Sequence, residues 1–140
     1  MPTDNAEDIR DRSFVFACGV AQLALSLAPR PGVRCIVDQL LKSGTSVGAN
    51  LEEAKAGSTR REFVRCVEIA LREARECLYW LRICVALKLG EAKTIQDLQG
   101  EADQLVRILT AIVVNTKRRM ITRLVIVSAF CILNSALLLS

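Results

Sequence analysis

Apolar residues recur along this chain at alternating steps of three and four, the period at which one face of an α-helix repeats. The pattern is widest between residues 60 and 85. There Phe63, Val67, Ala70, Ala74, Cys77, Leu81 and Cys84 mark one face, and Val64, Leu71, Leu78 and Val85 broaden it. A face that wide belongs to a helix packed inside a bundle. The opposite side carries Arg61, Arg65, Arg72, Arg75 and Arg82 with Glu68, Glu76 and Tyr79, all inside an arc of about 120° at 100° per residue. The expected solvent face is dominated by arginine.

Breaks between the periodic segments place the other elements. Thr59 with Glu62 three residues later forms a capping box, which starts the helix just described. Gly57 reads as the left-handed stop of the helix before it, residues 34–56, whose apolar centre is Ile36, Leu40, Val47, Leu51 and Ala54. Pro29-Arg30-Pro31-Gly32 cannot continue a helix. It closes an apolar run, residues 14–28, expected to be a mostly buried first helix that Asp4 and Glu7 cap. A turn at Gly90 leads into a fourth helix with Ile95, Leu98, Ala102, Leu105, Leu109, Ile112 and Thr116 in phase, complete by Arg119. Short connections make successive helices antiparallel neighbours. The expected fold is therefore all-α: an antiparallel up-and-down four-helix bundle over residues 1–119, with an apolar C-terminal extension over residues 120–140.

Composition narrows the chemistry. A chain of 140 residues, 51% hydrophobic and 4% aromatic, suffices for one core without staples. Six cysteines, none in a C-x-x-C pair, accompany no histidine at all. Cys66, Cys77 and Cys84 lie on or beside the apolar face, where a thiol behaves as a small hydrophobe. Reduced core cysteines and the lack of a basic leader point to the cytoplasm. Without histidine, Ser-His and Cys-His dyads and His-containing zinc sites are excluded. Glu53, Glu73 and Glu76 are the carboxylates available for metal chemistry, but the Glu-x-x-His pattern of di-iron bundles is missing. No cofactor, metal or catalytic residue is expected, and the chain reads as a non-enzyme.

The helix over residues 34–56 also carries a polar seam, Gln39, Ser43, Ser46, Asn50 and Glu53, bordering its apolar centre. Glu73 of the next helix projects toward the Cys66, Ile69 and Trp80 edge of that helix, where it can meet Asn50 or another residue of the seam, so seam and Glu73 are a candidate internal polar contact or subunit interface. Gly44 and Gly48 mark a close approach, either to a bulky neighbour such as Trp80 within one subunit or to another subunit. Tyr79 lies on the arginine side and Trp80 nearer the apolar margin.

These segments, residues 39–54 (QLLKSGTSVGANLEEA), Phe63, residues 69–76 (IALREARE) and Tyr79-Trp80-Leu81, carry a resemblance. The chain resembles the bacterial four-helix-bundle proteins first noticed as products of intervening sequences in 23S ribosomal RNA genes. The likeness covers roughly residues 11–119. A related branch comprises accessory proteins of diversity-generating retroelements, which look like pentameric barrels with a basic surface for nucleic acid and a reverse transcriptase. The resemblance thus implies a homo-oligomer, a pentamer, and an RNA, DNA or reverse-transcriptase partner. Arg61, Arg65, Arg72, Arg75 and Arg82, with Lys117, Arg118 and Arg119, are the candidate nucleic-acid-binding residues, because guanidinium forks suit phosphate. The competing reading is a solvated helix face, in which Glu68 and Glu76 neutralise Arg72 at i,i+4 spacing.

Charge sharpens one further feature. The net charge is +4, with Asp4, Glu7, Asp8 and Asp11 at the start and Arg107, Lys117, Arg118, Arg119 and Arg123 towards the end. Residues 124–140, LVIVSAFCILNSALLLS, then contain no charge. Such a segment is an extra helix or strand, an interface segment, or a membrane anchor behind a basic cluster. The last option makes a membrane-tethered interaction module the alternative to nucleic-acid binding.

Overall fold

The structure, a computed structural model, describes residues 4–27 and 30–138, with side chains described for 9–27 and 30–132. Its elements are α1 (Asp4–Ser26), α2 (Val33–Ala56), α3 (Arg60–Ala86) and α4 (Ala92–Leu138). Each helix packs on its neighbours in the chain and α1 closes onto α4, while the diagonal pairs stay apart among the described residues. That is the four-helix bundle expected from the period. Its centre is built from Phe16, Leu40, Leu81, Ile95, Leu105 and Leu109, all fully buried. The cap proposed at Asp4 and Glu7 lies outside the described side chains.

The connections follow local chemistry, with two departures from expectation. At the start of α3 the Thr59 hydroxyl accepts from Glu62 N–H at 3.1 Å, and the Glu62 carboxylate accepts from Thr59 N–H at 3.2 Å and Ser58 N–H at 3.1 Å. These backbone donors, Thr59 first, hold the exposed Glu62 carboxyl below its ordinary range. Gly57, however, is extended (φ −62°, ψ 138°) and not left-handed. The chain leaves α2 directly into the extended residues that lead to the Thr59 cap, so no left-handed residue is needed.

The left-handed position lies instead at the end of α3, and it is occupied by Lys88 (φ 54°). Lys88 N–H donates to Val85 O at 3.0 Å and Leu89 N–H to Cys84 O at 2.9 Å, the paired bonds of a Schellman stop. A side chain there is strained by its Cβ, at a cost of roughly 1–2 kcal/mol. Replacing Lys88 with glycine should therefore stabilise the protein by up to about 1 kcal/mol after the entropy of glycine is counted. Urea denaturation reads this directly. A destabilised variant would mean that Lys88 contributes a contact outweighing its strain.

Two further corrections concern apolar segments. The first helix is not mostly buried: Phe16, Val20, Leu23 and Ala24 face the core, but Phe14, Val15 and Leu25 are 68%, 69% and 84% exposed. The fourth helix does not end near Arg119 but runs unbroken for 47 residues, about 70 Å at 1.5 Å per residue. Over residues 120–138 the C-terminal extension is thus the continuation of α4, neither a separate helix nor a strand, and the 119/120 boundary falls within one helix. Val113 is its last buried side chain, and every described side chain from Ile121 to Ile132 is exposed.

Candidate nucleic-acid interface

α3 buries its wide apolar face against α2 and α4, which turns the opposite side outward. Arg61, Arg65, Arg72, Arg75 and Arg82 all lie there, exposed. Among the described residues none of the five makes an ion pair or hydrogen bond. The acids expected to neutralise them are engaged elsewhere. Glu68 pairs with Lys117, which reaches across from α4, and Glu76 accepts from the Trp80 indole N–H at 3.3 Å. Arg107, by contrast, is tied to Asp103 on its own helix at 2.7 Å.

The face runs about 32 Å from Arg61 to Arg82 along the helix axis. Tyr79, 55% exposed, sits within it, one turn from Arg75 and from Arg82 and about two turns from Arg72. Its ring meets Trp80 edge-on with centroids 5.4 Å apart. Trp80 is itself half-buried against the core, so it braces Tyr79. A stable aromatic edge among guanidinium groups suits stacking on a base beside phosphate contacts.

The Glu68–Lys117 pair also sets the level of α4 beside α3. The two helices are antiparallel, so steps back along α3 match steps forward along α4. Arg60, Arg61 and Arg65 therefore lie level with the turns that carry Arg118, Arg119 and Arg123. All six are exposed, and positive charge gathers at this end of the bundle. Arg60 was not among the candidates from sequence. Its place in the first turn of an arginine-rich helix was the available signal.

The polar seam of α2 does not form one connected ladder. Ser43 is fully buried, and its hydroxyl donates to Gln39 O at 2.7 Å. Asn50 Nδ2 donates to Ser46 O at 2.7 Å. These groups are thus satisfied within α2. Gln39, Ser46 and Asn50 are half-buried and Glu53 is exposed, while Glu73, half-buried, makes no hydrogen bond or ion pair among the described residues. The suggested Asn50–Glu73 contact is not formed. Glu53, Glu73 and Glu76 do not converge, and among the described residues no three Asp, Glu or Cys side chains cluster as metal ligands.

The glycines act inside the subunit. Gly44 lies against Val20 of α1 and Gly48 against the Ser13 backbone, so the nearest approach at both is made by α1 and not by Trp80. Polar fastening of α1 came unannounced by the sequence. Arg12 donates through Nε to Glu101 Oε1 at 3.0 Å, and through a terminal nitrogen to Glu101 Oε2 at 2.9 Å and Gln104 Oε1 at 2.8 Å. This clamp bridges α1 and α4, the most sparsely packed of the four interfaces. No heptad or capping rule couples residues so distant in sequence.

Fold and surface together define a small helical-bundle protein with an open arginine face. Residues 6–111 match the 23S rRNA-intervening sequence protein family, and the chain belongs to that family. It is similar to a protein of unknown function from the S23 ribosomal protein family of Bacteroides thetaiotaomicron. The two share 28% identity and a TM-score of 0.71 over 77% of this chain and 96% of that one. No curated protein matches the chain. The family match ends at residue 111, which leaves the distal part of α4 outside it. Among the described residues no helix is long and apolar enough to cross a membrane, and residues 133–140 of the uncharged segment lie outside the side chains described.

Proposed function

We propose that this protein is a non-enzymatic, self-associating scaffold that holds RNA or DNA phosphates on the outward face of α3. The observation that carries the reading is the set of five exposed arginines without acidic partners, Arg61, Arg65, Arg72, Arg75 and Arg82. A solvated helix face would have spent Glu68 and Glu76 on its own arginines; here both are engaged elsewhere. Arginine left unpaired keeps its full fork for phosphate. Arg118 and Arg119 extend the charge, while Lys117 joins the two helices. The sequence resemblance implies a link to accessory proteins of diversity-generating retroelements, and such a link would place the scaffold in the cytoplasm beside a reverse transcriptase. A ring of five subunits would repeat the face and raise affinity by avidity.

The test is fluorescence anisotropy with single- and double-stranded RNA and DNA oligonucleotides over a range of salt. Binding should weaken steeply with salt. In the triple variant Arg65→Ala, Arg72→Ala, Arg82→Ala the slope of log K against log salt should fall by about 2–3. All three side chains are exposed, so circular dichroism should be unchanged. Absence of binding at low salt, or equal binding by the variant, would overturn the reading in favour of a protein-interaction module.

A further inference from the structure

Two apolar stripes face solvent, and their patterns match. On α1 the outward side reads Asp11, Phe14, Val15, Cys18, Gln22 and Leu25, all exposed. On the far part of α4 it reads Arg123, Ile126, Val127 and Phe130, also all exposed. Each follows the i, i+3, i+4, i+7 spacing with which one helix seats along another. Each begins with a charge, and the charges are opposite.

We propose that the distal part of α4 of one copy packs along the outward face of α1 of a second copy, in parallel. A single register satisfies the whole pattern. With Asp11 beside Arg123, Phe14 falls beside Ile126, Val15 beside Val127, and Cys18 beside Phe130. The antiparallel alternative would set Asp11 beside the uncharged end of α4, and it loses that ion pair.

The partner is a second copy because this chain carries both halves of the match. Within one subunit the contact cannot form. α1 and α4 are antiparallel there, and α4 continues unbroken past its last buried residue, Val113. A parallel contact therefore requires a copy of opposite orientation, and opposite orientation allows each copy to receive the other's α4. The contact closes on itself as a two-fold pair. This pairing does not rest on nucleic-acid binding.

Native cysteines supply the test. In the proposed register Cys18 lies within one residue of the partner's Cys131, and both are exposed. The full-length chain with Cys35→Ser, treated with copper-phenanthroline without nucleic acid, should give a covalent dimer on a non-reducing gel. Cys18→Ser and Cys131→Ser should each abolish it. Arg123→Asp should reduce it several-fold, and the exchanged pair Asp11→Arg with Arg123→Asp should restore it. A dimer that survives Cys18→Ser, because the α4 ends join each other, overturns the proposal. So does a failure of charge exchange to restore the cross-link. A monomeric chain that floats with phosphatidylcholine–phosphatidylglycerol vesicles overturns it in favour of a lipid surface.

Discussion

Replacing Gly44 with alanine is expected to destabilise the protein by about 1–2 kcal/mol, although alanine is the better helix former. The reason is a single close approach. A Cβ at Gly44 would stand 2.6 Å from Val20 Cγ1 and 2.9 Å from Val20 Cβ. Val20 is fully buried, and β-branching leaves its χ1 little freedom. Its Cβ cannot rotate away at all, so α1 and α2 must separate. Overpacking of this kind costs about 1–3 kcal/mol, against a gain of about 1 kcal/mol in helix propensity.

Gly48, one turn along, provides the control. There the added Cβ would lie 3.6 Å from the Ser13 carbonyl carbon and oxygen, an ordinary contact. Gly48→Ala should therefore be neutral or stabilising by up to about 1 kcal/mol. Urea denaturation of both variants, with Val20→Ala alone and combined with Gly44→Ala, measures the coupling. The combined variant should lose less than the sum of its parts. If Gly44→Ala is as stable as the parent, the helices are not held at this distance. If it changes subunit number and leaves stability alone, the glycine faces a neighbouring subunit.

The pair shows what the chain discloses on its own and what it withholds. The three-four period, the Thr59–Glu62 box and the Pro29-Arg30-Pro31-Gly32 break are local, and each element they imply is present. Two glycines four apart likewise signal close packing, but only the fold decides that Val20 lies over one and a bare backbone over the other. The same limit applies to the arginine face. Its residues were legible from 100° spacing, whereas the diversion of Glu68 to Lys117 depends on the level of α4 beside α3. The end of α4 was illegible for a different reason: residues 124–132 are apolar in every direction, so no period distinguishes continuation from a new element. α1 was misjudged because apolar content was taken as burial. Phe14, Val15 and Leu25 are apolar and outward.

At the centre of the bundle, Cys77 should make stability fall as pH rises above 9. Its thiol is pushed up to about 12 from an ordinary value of 9.0, because burial excludes the thiolate; the neighbouring Ser43 hydroxyl opposes that shift only in part. The unfolded chain begins to release this proton near pH 9 while the folded chain retains it. Above that pH the unfolded state binds fewer protons, so unfolding becomes more favourable with each unit. The loss attributable to Cys77 is about 2 kcal/mol by pH 10.5 and grows towards about 4 kcal/mol at pH 12. Burial raises the Cys84 thiol as well, so its contribution has the same sign. Other groups titrate in this window, and Cys77→Ala isolates the one in question. That variant should be less stable than the parent at pH 8, by about 1 kcal/mol for the space left by sulfur. The order should reverse by pH 10.5, because alanine has no proton to lose. Urea denaturation at pH 8, 9.5 and 10.5 decides it. Parallel pH profiles for the two chains would mean that the thiol ionises in place, and that water reaches the α2–α3 contact where Ser43 meets it. A crossing would establish Cys77 as a neutral core group with no nucleophilic chemistry at physiological pH.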